Sequence, residues 1–119
     1  MATIKAVYRH ARISPRKVRQ LADLVRNKYA DEALDILKYQ PHRGARMLEK
    51  VINSAVGNAQ NPEQNGGRSH PIDTLVLRDV RIDGGPMLKR IQPRARGMAF
   101  TILKRMSHIT VGLVPIDQL

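Results

Sequence analysis

The sequence predicts an α+β fold in which three helices pack on a small antiparallel sheet and a long β-hairpin protrudes from the body. Apolar residues recur at helical spacing in the first half of the chain, and the period changes to two after Ile72. The strand-like sequence that follows is interrupted by Gly84-Gly85-Pro86 and by Pro93-Arg94-Ala95-Arg96-Gly97. With 119 residues the chain fits a single domain. We divide it into a globular body (residues 1–83 and 98–119) and a hairpin tip (residues 84–97).

The first predicted elements are a strand and a helix. The side chains of residues 3–11 alternate as in a short strand with one solvent-exposed face. The even-numbered side chains from Ile4 to His10 share one side of this strand. A helix should begin at Ser14-Pro15, because serine is favoured at the N-cap and the missing N–H of proline costs nothing at the first position. The apolar stripe of this helix consists of Val18, Leu21, Ala22 and Val25. Asn27 suits a left-handed helix end.

Two more helices and a loop complete the first half of the chain. The second helix is predicted over residues 30–38. Carboxylates in its first turn, such as Asp31, are stabilised by the positive end of the helix dipole. The third is predicted from about Pro41 to Gln60. Its buried stripe consists of Leu48, Val51, Ile52, Ala55 and Ala59. Residues 61–71 have the composition of a loop.

The hairpin is predicted from the second half of the chain. Its first strand places Val76, Val80 and Ile82 on one face and Leu77 on the other. Strand-like sequence resumes after the second interruption, so that two strands bracket a basic tip near Ile91–Gln92. Nothing else in so short a chain is large enough to cover the far half of this hairpin, and we expect a partner to surround it.

The charge balance predicts a polyanionic partner. There are 21 Lys and Arg residues against 10 Asp and Glu, a net charge of +11, and such an excess is typical of proteins that bind nucleic acid or an anionic membrane. The positive charge is concentrated in residues 1–28 and in residues 87–105, and the second of these segments has no acidic residue. Only three tyrosines and one phenylalanine occur. Recognition of a nucleic acid through its phosphates and its shape is therefore favoured over recognition by a sheet whose aromatic side chains stack on bases.

Several functional classes lack their signatures in this sequence. The absence of cysteine excludes disulfides, thiolate zinc sites and cysteine nucleophiles. The four histidines show no metal-ligand spacing, and there is no P-loop or dinucleotide glycine motif. No apolar stretch approaches the ~20 residues that span a bilayer, and the N-terminus lacks the apolar core of a signal peptide. We expect a cytoplasmic, non-catalytic protein without a metal or cofactor.

Motifs along nearly the whole chain carry a family resemblance. In order they are Arg12-Ile13-Ser14-Pro15-Arg16-Lys17, Ala22-Asp23-Leu24, Glu32-Ala33-Leu34, Gly85-Pro86 with Leu88-Lys89-Arg90, Pro93-Arg94-Ala95-Arg96-Gly97 and Ser107-His108-Ile109-Thr110-Val111. Each motif is short, but their combination at these separations is highly specific. The chain resembles the family of the twenty-second protein of the large ribosomal subunit, in its bacterial form.

This resemblance implies a structural protein that binds large-subunit ribosomal RNA and joins the subunit early in assembly. The body would lie on the outer surface near the exit port, and the hairpin would thread inward through RNA to line the nascent-peptide tunnel. Further implied partners are neighbouring large-subunit proteins near the tunnel constriction and exit, and transiently the nascent polypeptide. No membrane and no homo-oligomer is expected. In the family, changes in the hairpin tip are associated with macrolide resistance.

The resemblance and the charge pattern together give two sets of candidate residues. The expected rRNA-binding residues are Arg9, Arg12, Ser14, Arg16, Lys17, Arg19, Arg26, Lys28, Arg78, Arg81, Lys104, Arg105, Ser107 and His108. The expected tunnel-lining residues of the tip are Met87, Leu88, Lys89, Arg90, Ile91, Gln92, Pro93, Arg94, Ala95, Arg96 and Gly97. Within the tip, Lys89, Arg90 and Arg94 are assigned to the tunnel side.

Some positions depart from the family pattern, and two other functions stay open at this point. Gly84 replaces an acidic residue, and Met98, Phe100 and Met106 stand where polar or basic residues are commoner. The first alternative is a small basic DNA-binding architectural protein whose arm clasps a duplex. The second is a small ribonuclease that uses one of the histidines, His10 or His108.

Overall fold

The computed structural model describes residues 3–63, 65–67 and 69–118 and confirms the predicted α+β fold. The helices are α1 (Pro15–Val25), α2 (Ala30–Lys38) and α3 (Arg43–Ala59). The strands are β1 (Ile4–Ala11), β2 (Leu75–Gly84), β3 (Leu88–Pro93), β4 (Ala99–Lys104) and β5 (Ser107–Pro115). Gln64 and Arg68 of the predicted loop lie outside the described residues. Within these ranges, no helix is both long and apolar enough to cross a membrane.

The strands form two antiparallel sheets that follow one another along a single long hairpin. β5 lies between β1 and β2, whereas β3 and β4 pair only with each other. The last pair of the larger sheet is Gly84 with Ser107, and pairing resumes with Leu88 opposite Lys104. Between them, the Gly85 N–H donates to the carbonyl of Met106 at 2.8 Å. The molecule is consequently elongated, 65 × 28 × 18 Å.

The core lies between the helices and the three-stranded sheet. The predicted stripe of α1 is buried, and Asn27 has the left-handed φ of 65° expected after its end. Leu37 of α2 and Leu48 and Ile52 of α3 are fully buried. They belong to the same cluster as Ile109 of β5. All three predicted helices are confirmed, and their bounds differ from the predictions by at most two residues.

Two register shifts overturn the predicted strand faces. In β1 the pairing slips between Tyr8 and Ala11, and His10 adopts a φ of 60°. The prediction that His10 continues the face of Ile4 is therefore wrong: His10 is exposed, and Ala11 is buried. An extra residue in one strand of a pair reverses the alternation beyond it.

The second shift lies in β2, between Leu77 and Asp79. Leu77 was assigned to the face opposite Val80 and Ile82, but all three side chains are buried in the core. Arg78 is the inserted residue and is exposed. The bulge thus brings both halves of β2 onto the same apolar face.

The hairpin reverses direction later than predicted. Gln92 is paired with Phe100, so the expected tip near Ile91–Gln92 is wrong. The Arg94 N–H donates to the carbonyl of Met98 at 2.6 Å and closes the turn, which contains positive φ angles at residues 96 and 97. Residues 99–104 pair with β3 rather than with the larger sheet. The division into body and tip remains a prediction.

The outer edge of β2 is hydrogen-bonded to α1 and the segment after it. Arg19 donates from Nε and Nη2 to the Ile82 carbonyl at 3.1 and 3.0 Å. Arg26 donates from Nη2 to the Val80 carbonyl at 2.8 Å, and the Asn27 N–H donates to the Leu77 carbonyl at 2.8 Å. These bonds fix α1 beside the strand from which the hairpin departs.

We expect Arg19→Met to lower the free energy of unfolding by about 1 kcal/mol, because the Ile82 carbonyl loses its charged donor. Methionine keeps most of the aliphatic length, so the change reports chiefly on the hydrogen bonds. Arg16→Met is the matched control: Arg16 lies exposed on the same helix and should change the free energy by less than about 0.5 kcal/mol. Urea titration followed by circular dichroism measures both, and equal effects would contradict the role assigned to Arg19.

Candidate nucleic-acid interface

A groove of about 1120 Å³ lies between the globular body and the base of the hairpin. Its walls come from the segment that leads into α1, from α1 itself, from the N-terminus of α3, and from the strands β3 and β4 with the residues that follow. Six cationic side chains line it: Arg12, Lys17, Arg43, Arg90, Lys104 and Arg105. No acidic side chain lines it among the residues that the structure describes. The groove is therefore a concentrated positive surface on one side of the molecule.

The body side of the groove is held together by close packing and two hydrogen bonds. The Ser107 hydroxyl donates to the Ile13 carbonyl at 2.6 Å, and Arg43 donates from Nη2 to the Arg12 carbonyl. Gly44 lets α3 approach the segment before α1, since a Cβ there would lie 3.1 Å from Cδ1 of Ile13. The loop that carries Arg12 is thereby fixed against the start of α3.

The hairpin side of the groove follows from the strand register. Leu88 opposes Lys104 and Arg90 opposes Ile102, and these pairs lie two residues apart along each strand. Side chains of such pairs project on the same face of a two-stranded sheet. Arg90 and Lys104 therefore share the face that lines the groove. Arg105 follows directly, with Nη1 at 3.7 Å from the Met87 sulfur.

The charge of the groove is not neutralised within the described part of the chain. The ion pairs found among the described residues join Arg26 to Asp23 at 2.6 Å, Arg46 to Glu49 at 3.2 Å and Arg81 to Asp79 at 3.2 Å. None of these involves a cation of the groove. A partner that supplies several negative charges at regular spacing fits this surface, as a nucleic-acid backbone does.

The groove unites candidates that are far apart in the sequence. Five predicted rRNA-binding residues line it, namely Arg12, Ser14, Lys17, Lys104 and Arg105, and Arg90 of the predicted tip joins them. Arg43 was missed, because it belongs to a segment whose charges balance overall. One signal could have found it: the first turn of α3 has no acidic residue, although carboxylates are favoured there.

Other candidates lie outside the groove. Arg9, Arg16, Lys28 and Arg78 are exposed elsewhere on the body. Arg81 is more than half exposed and paired with Asp79. Arg19 and Arg26 hold the edge of β2, so part of their donor capacity is already used.

Ser107 and His108 both make hydrogen bonds within the fold. Ser107 is fully buried, and its hydroxyl is used within the fold, so we leave it out of the interface. His108 accepts the His10 N–H at Nδ1 at 3.1 Å, and the two rings meet edge to face with centroids 5.0 Å apart. Among the described residues, no cluster of three or more His, Cys, Asp or Glu side chains could hold a metal ion.

The predicted tip is largely exposed. Its exposed residues are Met87, Lys89, Arg90, Ile91, Pro93, Arg94, Ala95, Arg96 and Gly97. Leu88 and Gln92 are half-buried. Ile91 is 75% exposed.

Known proteins match this chain over almost its whole length. The model of the family described as ribosomal protein L22p/L17e matches residues 6–114. A protein of Rhodopirellula baltica named large ribosomal subunit protein uL22 is 70% identical over 117 residues, which is 98% of each chain. Proteins with the same name from Caldicellulosiruptor saccharolyticus and Desulfitobacterium hafniense are 54% identical (91% of this chain and 84% of the relative) and 46% identical (96% of each). This protein belongs to the ribosomal protein L22p/L17e family.

Proposed function

We propose that the protein is a non-catalytic structural constituent of the large ribosomal subunit in the bacterial cytoplasm. In this role it binds large-subunit rRNA, supports early subunit assembly and lines the nascent-peptide exit tunnel with its hairpin. Its relatives are named as proteins of that subunit. The observation that carries the proposal is the groove between the body and the hairpin, which six cations and, among the described residues, no acidic side chain line.

The groove supports binding to RNA through the phosphate backbone. Arginine and lysine that contact phosphates release condensed counterions, and this release drives the binding of polyanions. Four of the six cations are arginines, whose planar guanidinium can hold two phosphate oxygens at once. Because the cations come from both walls, an RNA strand in the groove would contact body and hairpin together.

The structure of the hairpin is consistent with its proposed position inside a folded RNA. Its two strands pair only with each other beyond the larger sheet, and an isolated two-stranded sheet is marginal in water. RNA around the hairpin would supply the missing contacts. Lys89 and Arg94 are the residues that we assign to the tunnel side, where neighbouring ribosomal proteins and the nascent chain would contact them. Arg90, expected on that side from the sequence, lines the groove.

The double substitution Lys17→Ala with Lys104→Ala tests the groove, since Lys17 contributes one positive charge from the body and Lys104 contributes one from the hairpin. We expect weaker binding to large-subunit rRNA and a fall of about two in the slope of log affinity against log salt. Filter binding over a range of salt concentrations measures both quantities.

The matched control is Lys38→Ala with Lys50→Ala, which removes the same charge from exposed positions outside the groove. Equal losses for the two pairs would show that net charge alone drives binding and would refute the groove as the site. Duplex DNA serves as competitor: if it displaced the rRNA at equal concentration, the DNA-binding alternative would be favoured instead.

A further inference from the structure

Phe100 is an exposed aromatic side chain on the cationic hairpin. It lies on β4, is 51% exposed and is the only phenylalanine of the chain. The other aromatic residues, the three tyrosines, all lie within the first 39 residues. Phe100 is therefore the single aromatic ring that the hairpin offers to a partner.

One polar side chain lies beside this ring, and a second is hydrogen-bonded to the first. Gln92 is the cross-strand partner of Phe100, so their side chains lie side by side on one face of the hairpin. Arg94 donates from Nη2 to Oε1 of Gln92 at 3.2 Å. Because arginine only donates, this bond fixes the carbonyl of the Gln92 amide toward Arg94 and leaves its NH₂ group as a donor.

We propose that Phe100, Gln92 and Arg94 form a site for one unpaired nucleobase of the large-subunit rRNA. The base stacks on the Phe100 ring, the NH₂ of Gln92 donates to an acceptor on the edge of the base, and Arg94 contacts the adjoining phosphate. This inference rests on the proposed function, because it assigns a particular contact within the rRNA interface.

The surroundings of the ring favour a nucleobase over an apolar protein surface. Residues 87–105 carry six basic residues and no acidic one. An apolar protein partner would remove the amide of Gln92 and the guanidinium of Arg94 from water without supplying acceptors, which is costly. A nucleobase offers a flat face, an edge with acceptors and a phosphate nearby. It must be unpaired, because a base stacked within a duplex has no free face.

The site can be tested in the full-length protein with Phe100→Leu, which keeps apolar bulk but removes the aromatic face. We expect its affinity for large-subunit rRNA to fall roughly tenfold, in the range found when a stacking aromatic is removed. Phe100→Tyr keeps the ring and should stay within about twofold of the unaltered protein. Met98→Ala is the matched control, since it removes an even more exposed apolar side chain from the same hairpin and should leave the affinity unchanged.

Chemical probing of the bound rRNA supplies the second readout. With the unaltered protein, one unpaired base should become protected from reagents that modify base edges, and Phe100→Leu should leave that base reactive. Unchanged affinity and unchanged protection in Phe100→Leu would refute the site while leaving the proposed function intact. An equal loss in Met98→Ala would also refute it, in favour of a general apolar contact. Failure of the unaltered protein to bind the rRNA at all would overturn the proposed function itself, and the site with it.

Discussion

Replacing residues 91–101 with a short glycine-asparagine linker should leave assembly of the large subunit near normal while changing how ribosomes respond to macrolides and to peptides that stall in the tunnel. The register makes this a clean truncation, because Arg90 and Ile102 oppose each other and remain paired at the new end. The core lies entirely within the body, so folding should survive. Every cation of the groove is retained, so the body should still bind rRNA, with the roughly tenfold lower affinity expected when Phe100 is lost.

Two measurements in one extract check this expectation: the yield of large subunits on sucrose gradients, and inhibition of translation by a macrolide. An inhibitor that acts on the small subunit is the control, and its potency should not change. Loss of assembled subunits would mean that the end of the hairpin anchors the protein in the RNA. Normal assembly with an unchanged macrolide and stalling response would mean that residues 91–101 do not line the tunnel.

The largest loss of stability is expected for Leu48→Ala. Leu48 is fully buried near the middle of α3 and belongs to the cluster that joins helices and sheet. Truncation of a buried leucine removes its transfer free energy and leaves a cavity, at a cost of about 2–5 kcal/mol. The whole free energy of unfolding of such a domain is only about 5–15 kcal/mol, so the variant should unfold at much lower denaturant concentration.

Urea titration measures this loss, with Lys50→Ala as the control on the same helix. Lys50 is exposed, and its truncation should change the free energy by less than about 0.5 kcal/mol. A cost below about 1 kcal/mol for Leu48→Ala would show that the core collapses around the missing side chain and does not depend on this leucine.

The helices were predictable because each one carries a buried stripe at the helical period, and the local signals at Ser14 and Asn27 agreed with it. Strand faces were predictable only up to the first bulge. The insertions at His10 and Arg78 leave no mark on the alternation of apolar and polar residues in the sequence. Alternation alone therefore places Ala11 and Leu77 on the wrong side.

The turn of the hairpin was misplaced for a related reason. The sequence offers two breaks, Pro93 and Gly97, and the expected tip was placed before both. Pro93 is the last residue of β3, opposite Ala99, and the positive φ angles occur at Arg96 and Gly97. Glycine tolerates that conformation without strain, so Gly97 was the better signal.

The candidate site could be predicted only as two basic segments. Their convergence on one groove, and the contribution of Arg43, depend on how α3 packs against the segment before α1. Arg19 looked equivalent to Arg16 in the sequence, yet its guanidinium is bound to a carbonyl 63 positions away. Ser107 is buried for the same kind of reason. Such contacts join residues that no local pattern relates.

The arginines along β2 also bear on how copies of the protein meet one another before they meet RNA. An unpaired strand margin invites addition of a strand from a second molecule, which leads to aggregation. Along β2, the carbonyls that would accept such a strand are already bound to Arg19 and Arg26. On the opposite margin, β1 exposes Lys5 and Arg9, and Asn58 donates to the Lys5 carbonyl at 3.0 Å. Both margins of the sheet thus oppose edge-to-edge association of newly made chains, so the cations that suit the protein to RNA also help to keep it dispersed until it binds.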